Sequence, residues 1–146
     1  MGKVYLFETS IEIAAPAEHI WSIMSDVERW SEWTPSVKRI NLLGGKPLAI
    51  GSRAWVFQPK LPPALWRVIE LEERRGFTWV ASGPGFRAYG RHYIEVTPGG
   101  SKVTLSVQYD GPLASFFSRF TSDINNRYIA MEAAGLKRRS EELSHM

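Results

Sequence analysis

The chain has 146 residues, 44% hydrophobic and 23% charged, and we expect them to form a single domain over residues 1–146 with its own apolar core. The net charge of +3 comes from Lys and Arg residues that are scattered rather than gathered in a patch, so no nucleic acid is expected as a partner. The absence of cysteine excludes disulfides and thiolate metal sites.

The first elements are a strand and two short helices. Val4–Ala14 alternates between apolar and polar residues, which predicts a strand with one buried face, and Thr9 is the polar residue on the apolar parity. Proline is tolerated in a first helical turn, so Pro16–Ser25 is predicted to be a short helix. Asp26 is expected to cap a second short helix that runs through Trp30.

Turns rich in glycine and proline divide the middle of the chain into six further predicted strands. They are Val37–Leu43, Ser52–Gln58, Ala64–Glu72, Gly76–Ser82, Phe86–Thr97 and Lys102–Tyr109. A two-residue turn at Gly99-Gly100 would pair His92 with Val107 and Ile94 with Leu105, so that apolar residues face each other.

The inward face of two of these strands stays open. Neither parity of residues 52–58 is clearly apolar. In residues 64–72, one parity combines Trp66 with Glu70, and the other carries Arg67 among apolar residues. Either orientation buries a charge or exposes apolar side chains. A buried Glu70 or Arg67 would be costly unless paired, and it would then indicate a functional residue.

Apolar residues recur every three or four positions after Pro112, which predicts one long helix to about Ser140. The predicted stripe consists of Leu113, Phe116, Phe117, Phe120, Ile124, Tyr128, Met131 and Gly135. The elements together predict an α+β fold in which a seven-stranded, curved antiparallel sheet wraps around this helix, the helix-grip arrangement. Because one helix cannot fill the whole concave face of such a sheet, an apolar cavity is expected between them.

Several short motifs resemble those of the START-related SRPBCC superfamily, and most closely its polyketide cyclase/dehydrase and lipid-transport group. The opening motif comprises Ile11-Glu12-Ile13-Ala14-Ala15-Pro16, Ile20-Trp21, Ser25-Asp26, Trp30, Trp33 and Pro35. Further similar residues are Gly51, Trp79, His92, Gly111-Pro112-Leu113 and Gly135-Leu136. The resemblance implies a helix-grip fold and an apolar ligand such as a lipid or polyketide. It carries over no catalytic residue.

Ten residues are predicted to contact a hydrophobic or aromatic small molecule in the cavity. They are Thr9, Trp66, Phe77, Trp79, Gly90, His92, Tyr109, Phe117, Phe120 and Ile124. His92 lies on an otherwise apolar parity, where it could orient a ligand, shuttle a proton, or be a core residue satisfied by a hydroxyl such as that of Thr9. His19, His92 and His145 lack paired spacing, so neither a metal nor another cofactor is expected.

Three functions compete at this point. A carrier of an apolar molecule is favoured, because no strong catalytic arrangement is present. A cyclase or dehydratase would use His92 or a buried Glu70–Arg67 pair, and a protein-interaction module is the third. We expect a monomer or weak homodimer. A cytoplasmic protein without stable membrane insertion is also expected, since the sequence shows neither a signal-peptide pattern nor a run of transmembrane length.

Overall fold

A computed structural model describes residues 5–144; Val4 and His145 lie outside the described residues. The strands are β1 Tyr5–Ile13, β2 Arg39–Leu43, β3 Arg53–Phe57, β4 Ala64–Glu72, β5 Gly76–Gly83, β6 Phe86–Thr97 and β7 Gly100–Asp110. The helices are α1 Ala17–Met24, a 3₁₀ helix Val27–Glu32, α2 Ala114–Phe120 and α3 Ser122–Ser144.

The seven strands form one antiparallel sheet in the order β1-β7-β6-β5-β4-β3-β2. Helix α3 packs on β1 and β7 and against α1, so it covers the β1 side of the sheet. The predicted helix-grip fold is therefore confirmed. Because α3 lies towards one side, the concave face of the strands farther from β1 is left for other contacts.

The β6–β7 hairpin differs in register from the prediction. Thr97 pairs with Gly100, so the turn residues are Pro98 and Gly99, and His92 lies opposite Leu105 rather than Val107. A shift of two residues leaves every side chain on its predicted face, because side chains alternate with a period of two. The first residue of β7, Gly100, has to be glycine, because a Cβ atom there would lie 2.4 Å from the Ile13 carbonyl oxygen.

A bulge in β4 resolves the orientation that alternation alone left open. The register between β4 and β5 shifts between Val68 and Glu70, and the extra residue reverses the parity of the strand. Val68 therefore faces the core before the bulge, while Arg67 and Glu70 are both exposed. Neither charge is buried, and this removes the Glu70–Arg67 pair as a functional site.

The remaining contacts of the fold are made by the neighbouring strand β3 and the 3₁₀ helix. Ala54 and Val56 are the buried parity of β3. Asp26 makes no side-chain cap to the 3₁₀ helix that follows it, contrary to the prediction; its carboxylate instead lies 3.1 Å from the Lys46 ammonium. Trp30 is buried, and its indole N–H donates to the Met24 carbonyl at 3.0 Å.

The C-terminal helix is broken and rotated relative to the prediction. It breaks at Thr121, whose φ of −109° and ψ of 10° end α2 before α3 begins. Phe116 and Phe120 are 61% and 79% exposed, whereas the small residues Ala114 and Ser118 are buried. Helix α2 lies over β7, β6 and β1. Its small residues face these strands, and the rings of Phe116 and Phe120 are directed to the surface.

Candidate functional site

A cavity of about 690 Å³ lies between the inner face of the sheet and the two C-terminal helices. Its walls are contributed by the 3₁₀ helix, β3 to β7, α2 and α3, together with the loop between β3 and β4. Aromatic rings make up much of the wall; they include Trp30, Trp66, Trp79, Phe86, Phe117 and Tyr128. Volume and lining both fall in the range of small-molecule sites, which are mostly apolar with a few placed polar groups.

Seven of the predicted contact residues line this cavity. They are Trp66, Trp79, Gly90, His92, Tyr109, Phe117 and Phe120. Thr9, Phe77 and Ile124 do not. Thr9 lies on β1, the part of the sheet that α3 covers. Phe77 is 0% exposed, and Ile124 is half-buried beside Asn125, which lines the cavity in its place.

Small residues form the sheet floor beneath the cavity. Ala81 and Ala88 are paired across β5 and β6, and both line the cavity. Gly90 lines it two residues further along β6. A Cβ atom at Gly90 would lie 2.8 Å from the indole nitrogen of Trp79, so this glycine permits the close approach of the Trp79 ring.

His92 is buried within an aromatic cluster at the cavity wall. Its ring stacks on the Phe77 ring with 4.3 Å between the ring centres. The rings of Trp30 and Trp79 contact it edge-on, with their centres 5.3 Å and 5.8 Å away. Nδ1 lies 3.3 Å from the carbonyl oxygen of Phe77. A carbonyl can only accept a hydrogen bond, so Nδ1 carries the proton and Nε2 is an acceptor in the neutral ring.

The charge state of His92 follows from its surroundings. Burial lowers the pKa of His92 to about 4, because the apolar site disfavours the imidazolium, although the hydrogen bond to Phe77 acts in the opposite direction. The ring is therefore neutral near pH 7. The predicted partner Thr9 is not what satisfies it; a backbone carbonyl does so.

A hydrogen-bonded group lies at the break between α2 and α3. The amide of Asn125 donates to the Tyr109 hydroxyl at 3.0 Å and to the Thr121 hydroxyl at 2.9 Å. Thr121 in turn donates its hydroxyl to the Phe117 carbonyl at 2.7 Å, and the same carbonyl accepts the Thr121 backbone N–H at 3.0 Å. Tyr109, Thr121 and Asn125 all line the cavity. These contacts hold their polar atoms in place at one part of the wall.

A carboxyl group lies at another part of the wall. Glu132 of α3 lines the cavity, and the Ser36 hydroxyl donates to its Oε2 atom at 3.4 Å. Gln58 lines the same cavity and donates to the Ser36 carbonyl at 3.2 Å. Burial raises the pKa of Glu132 to about 7, since the contact with Ser36 only partly offsets the loss of water around the carboxylate.

The exposed rings of α2 lie at the rim of the cavity. Phe116 and Phe120 stack at 6.2 Å with an angle of 13° between their planes, and Phe120 lines the cavity. Phe117 contacts Phe86 at 4.2 Å. The loop from Lys60 to Pro63 also contributes to the lining. An aromatic rim of this kind is suited to the passage of an apolar molecule.

Asn125 and Glu132 were not among the residues predicted from the sequence, and Trp30 was predicted only as part of a short helix. Asn125, Ile129, Glu132 and Leu136 follow spacings of three and four, so they share one face of α3. The spacing of these four residues is visible in the sequence, but the predicted apolar stripe followed the phenylalanine residues of α2 instead. Asn125 and Glu132, two polar residues seven positions apart, were the signal in the sequence that could have identified this face.

Comparisons with known proteins agree with this architecture. No curated protein matches the sequence significantly. The di-domain ARO/CYC StfQ from the steffimycin biosynthetic pathway superposes with a TM-score of 0.78 at 11% identity, covering 98% of this chain and 52% of the StfQ chain. This chain therefore spans about half the length of StfQ.

Two further structures match over nearly their whole length. A point mutant of Thalictrum flavum norcoclaurine synthase, in complex with a transition-state analogue, has a TM-score of 0.74 at 14% identity, covering 99% of this chain and 98% of that one. A START superfamily protein from Mycobacterium smegmatis has a TM-score of 0.72 at 20% identity, covering 94% and 98%. At these identities the likeness shows the fold alone.

No helix within residues 5–144 is long and apolar enough to cross a membrane.

A match to a family model identifies the chain more closely than the likeness in fold does. The family model described as polyketide cyclase/dehydrase and lipid transport matches residues 6–141. This match confirms the resemblance seen in the sequence motifs. The chain belongs to the polyketide cyclase/dehydrase and lipid transport family.

Proposed function

We propose that the protein binds and carries an apolar or aromatic small molecule in the cavity between its sheet and its C-terminal helices. The observation that carries the proposal is the cavity of about 690 Å³, with aromatic walls and separate polar positions at His92, Asn125 and Glu132. Apolar walls provide affinity, and the few polar groups orient the ligand. A cytoplasmic, monomeric or weakly dimeric carrier is part of this proposal.

The carrier function is preferred over a cyclase or dehydratase. The enzyme alternative invoked His92 or a buried Glu70–Arg67 pair, and both residues of that pair are exposed. His92 remains at the wall with an acceptor nitrogen and no charge near neutral pH. Such a group suits the orientation of a ligand hydroxyl.

Filling the cavity should abolish binding without unfolding the protein. Ala81→Leu would project extra carbons from β5 into the empty space, and we expect at least about a tenfold loss of affinity for the neutral fluorescent probe N-phenyl-1-naphthylamine. Probe titration gives the affinity, and a thermal melt checks the fold. The matched control is Ala134→Leu on the exposed side of α3, which should leave binding unchanged. Unchanged binding in a folded Ala81→Leu protein would place the ligand elsewhere.

The neutral His92 ring should select ligands that can donate a hydrogen bond. We expect the protein to prefer 2-naphthol over its methyl ether, because only the naphthol can donate to Nε2, and His92→Phe should reduce this preference roughly three- to tenfold. Competition against the fluorescent probe measures the ratio of affinities. His19→Phe, a change in α1 outside the cavity, is the control. A preserved preference in His92→Phe, with only a lowered melting temperature, would make His92 a purely structural residue.

A further inference from the structure

Glu132 is a carboxyl group in an apolar wall with little to stabilise its charge. It lies on the face of α3 that lines the cavity, one helical turn from Tyr128. Its one hydrogen bond among residues 5–144 is the 3.4 Å contact from the Ser36 hydroxyl. That hydroxyl also lies 2.7 Å from the Thr34 hydroxyl, so it is shared between two partners. A single long, shared hydrogen bond compensates poorly for the removal of a carboxylate from water.

Three of the four cations of α3 are engaged elsewhere, and the fourth, Arg127, is exposed. Lys137 pairs with Glu141 at 2.7 Å, and Arg138 donates to the Trp33 carbonyl at 3.1 Å. Arg139 pairs with Glu32. Within the part of the chain that the structure describes, no Lys, Arg or His side chain forms an ion pair with Glu132. Among the described residues, the carboxyl group therefore has no positive partner.

Apart from Tyr109 of β7 and Tyr128 of α3, the other charged or titratable groups in the cavity wall come from two elements. Lys60 lies in the loop after β3, and Arg91 and His92 belong to β6. Arg91 donates to the Gln108 side chain at 2.7 Å, and its guanidinium lies 5.5 Å from the centre of the Tyr89 ring. In the segment after the 3₁₀ helix, the Ser36 hydroxyl contacts Glu132, and the Thr34 hydroxyl contacts Ser36.

The aromatic lining is the second feature that bears on the ligand. Trp30, Trp66, Trp79 and Tyr128 line the same cavity as Glu132. The negative faces of such rings attract cations, and the attraction is stronger where water is excluded. An acid in an aromatic cavity is therefore complementary to a ligand that combines an apolar body with a positive charge.

From this arrangement we infer that the carried molecule bears a cationic amine, which pairs with the Glu132 carboxylate while its aromatic or apolar body lies along the tryptophan walls. The inference rests on the proposed carrier function and adds the class of ligand to it. The ammonium supplies the positive partner that residues 5–144 do not provide, and its N–H groups satisfy the carboxylate oxygens.

Two ligands of matched size test the inference in competition with N-phenyl-1-naphthylamine. 2-(2-Naphthyl)ethylamine is a cation with a pKa of about 10, as for other alkylamines, and 2-(2-naphthyl)ethanol is its neutral counterpart. We expect the wild-type protein to prefer the amine, and Glu132→Gln to weaken amine binding roughly ten- to hundredfold while changing alcohol binding little. Glu142→Gln, an exposed change on the same helix, is the matched control.

The pH dependence gives a second readout. Because the pKa of Glu132 is about 7, the ionised fraction rises across neutrality, and amine affinity should increase about tenfold from pH 6 to pH 8. His92 stays neutral over this range because its pKa is about 4. Alcohol affinity should therefore stay flat, and Glu132→Gln should remove the slope.

The outcomes separate this inference from the carrier function. If neither the probe nor the alcohol binds wild-type protein, the carrier function itself is wrong. If the alcohol binds but the amine gains no advantage, or if a folded Glu132→Gln protein keeps the wild-type ratio and pH slope, the amine inference alone is overturned. A thermal melt of each variant establishes that it is folded.

Discussion

Phe77→Ala is expected to lower the free energy of unfolding by about 3–5 kcal/mol, one of the largest losses of any single truncation in this chain. Phe77 is fully buried, and its ring stacks on His92 at 4.3 Å. It also contacts Trp79 at 5.2 Å, Trp30 at 6.3 Å and Trp21 at 6.4 Å. Removal of the ring would leave a void under the cavity wall, because close-packed neighbours relax only partly.

Urea denaturation of Phe77→Ala and Phe120→Ala measures the contrast directly. Phe120 is 79% exposed, so its truncation should change stability by no more than about 0.5 kcal/mol. The two substitutions remove the same atoms. Burial therefore accounts for most of the difference between them, with a smaller part from helix and strand propensity. A Phe77→Ala protein as stable as the wild type would mean that Phe77 lines an open space, as the sequence analysis predicted.

Gly135→Ala is expected to destabilise the protein by about 3 kcal/mol or more, although alanine is the better helix former. Gly135 is buried on α3 where the helix crosses the segment after the 3₁₀ helix. A Cβ atom there would lie 2.0 Å from the carbonyl oxygen of Trp33. The obstacle is backbone rather than a flexible side chain, so the helix itself would have to move.

The neighbouring residue provides the control. Ala134→Gly, on the exposed side of the same helix turn, should cost only about 1 kcal/mol through helix propensity. The expected order of stability is therefore wild type, then Ala134→Gly, then Gly135→Ala, and a thermal melt of the three proteins checks it. A stabilised Gly135→Ala protein would show that α3 does not approach Trp33 this closely.

Local patterns in the sequence were sufficient for the strands and for their order along the chain. Alternation places Ile94 and His92 on the buried face of β6, and this assignment survives the corrected register because a two-residue shift conserves the face. Glycine and proline turns mark the ends of the strands, because the conformation of a turn is decided by a few neighbouring residues. The order of these elements also predicted that the sheet closes on the last helix, and the family resemblance agreed with that prediction.

Alternation failed where the chain departs from regular geometry. Strict alternation in β4 required a buried charge or an exposed hydrophobic face, and the bulge between Val68 and Glu70 avoids both. Such a bulge depends on the partner strand β5, which no local pattern of β4 reveals. The break at Thr121 is similar, since the Thr121 hydroxyl, Tyr109 and Asn125 satisfy one another only in the folded chain.

The residues of the candidate site likewise divide into those that local sequence patterns predict and those that only the tertiary structure brings to the cavity. Trp66 and Trp79 were identified from the sequence as aromatic residues of middle strands. His92 was identified because it lies on the apolar parity of its strand, and parity is a local property. Glu132 was not, because hydrophobic periodicity assigns a glutamate to solvent. Only the packing of α3 on the β1 side of the sheet directs that face of the helix, with Glu132 and Asn125, into the space left over the other strands.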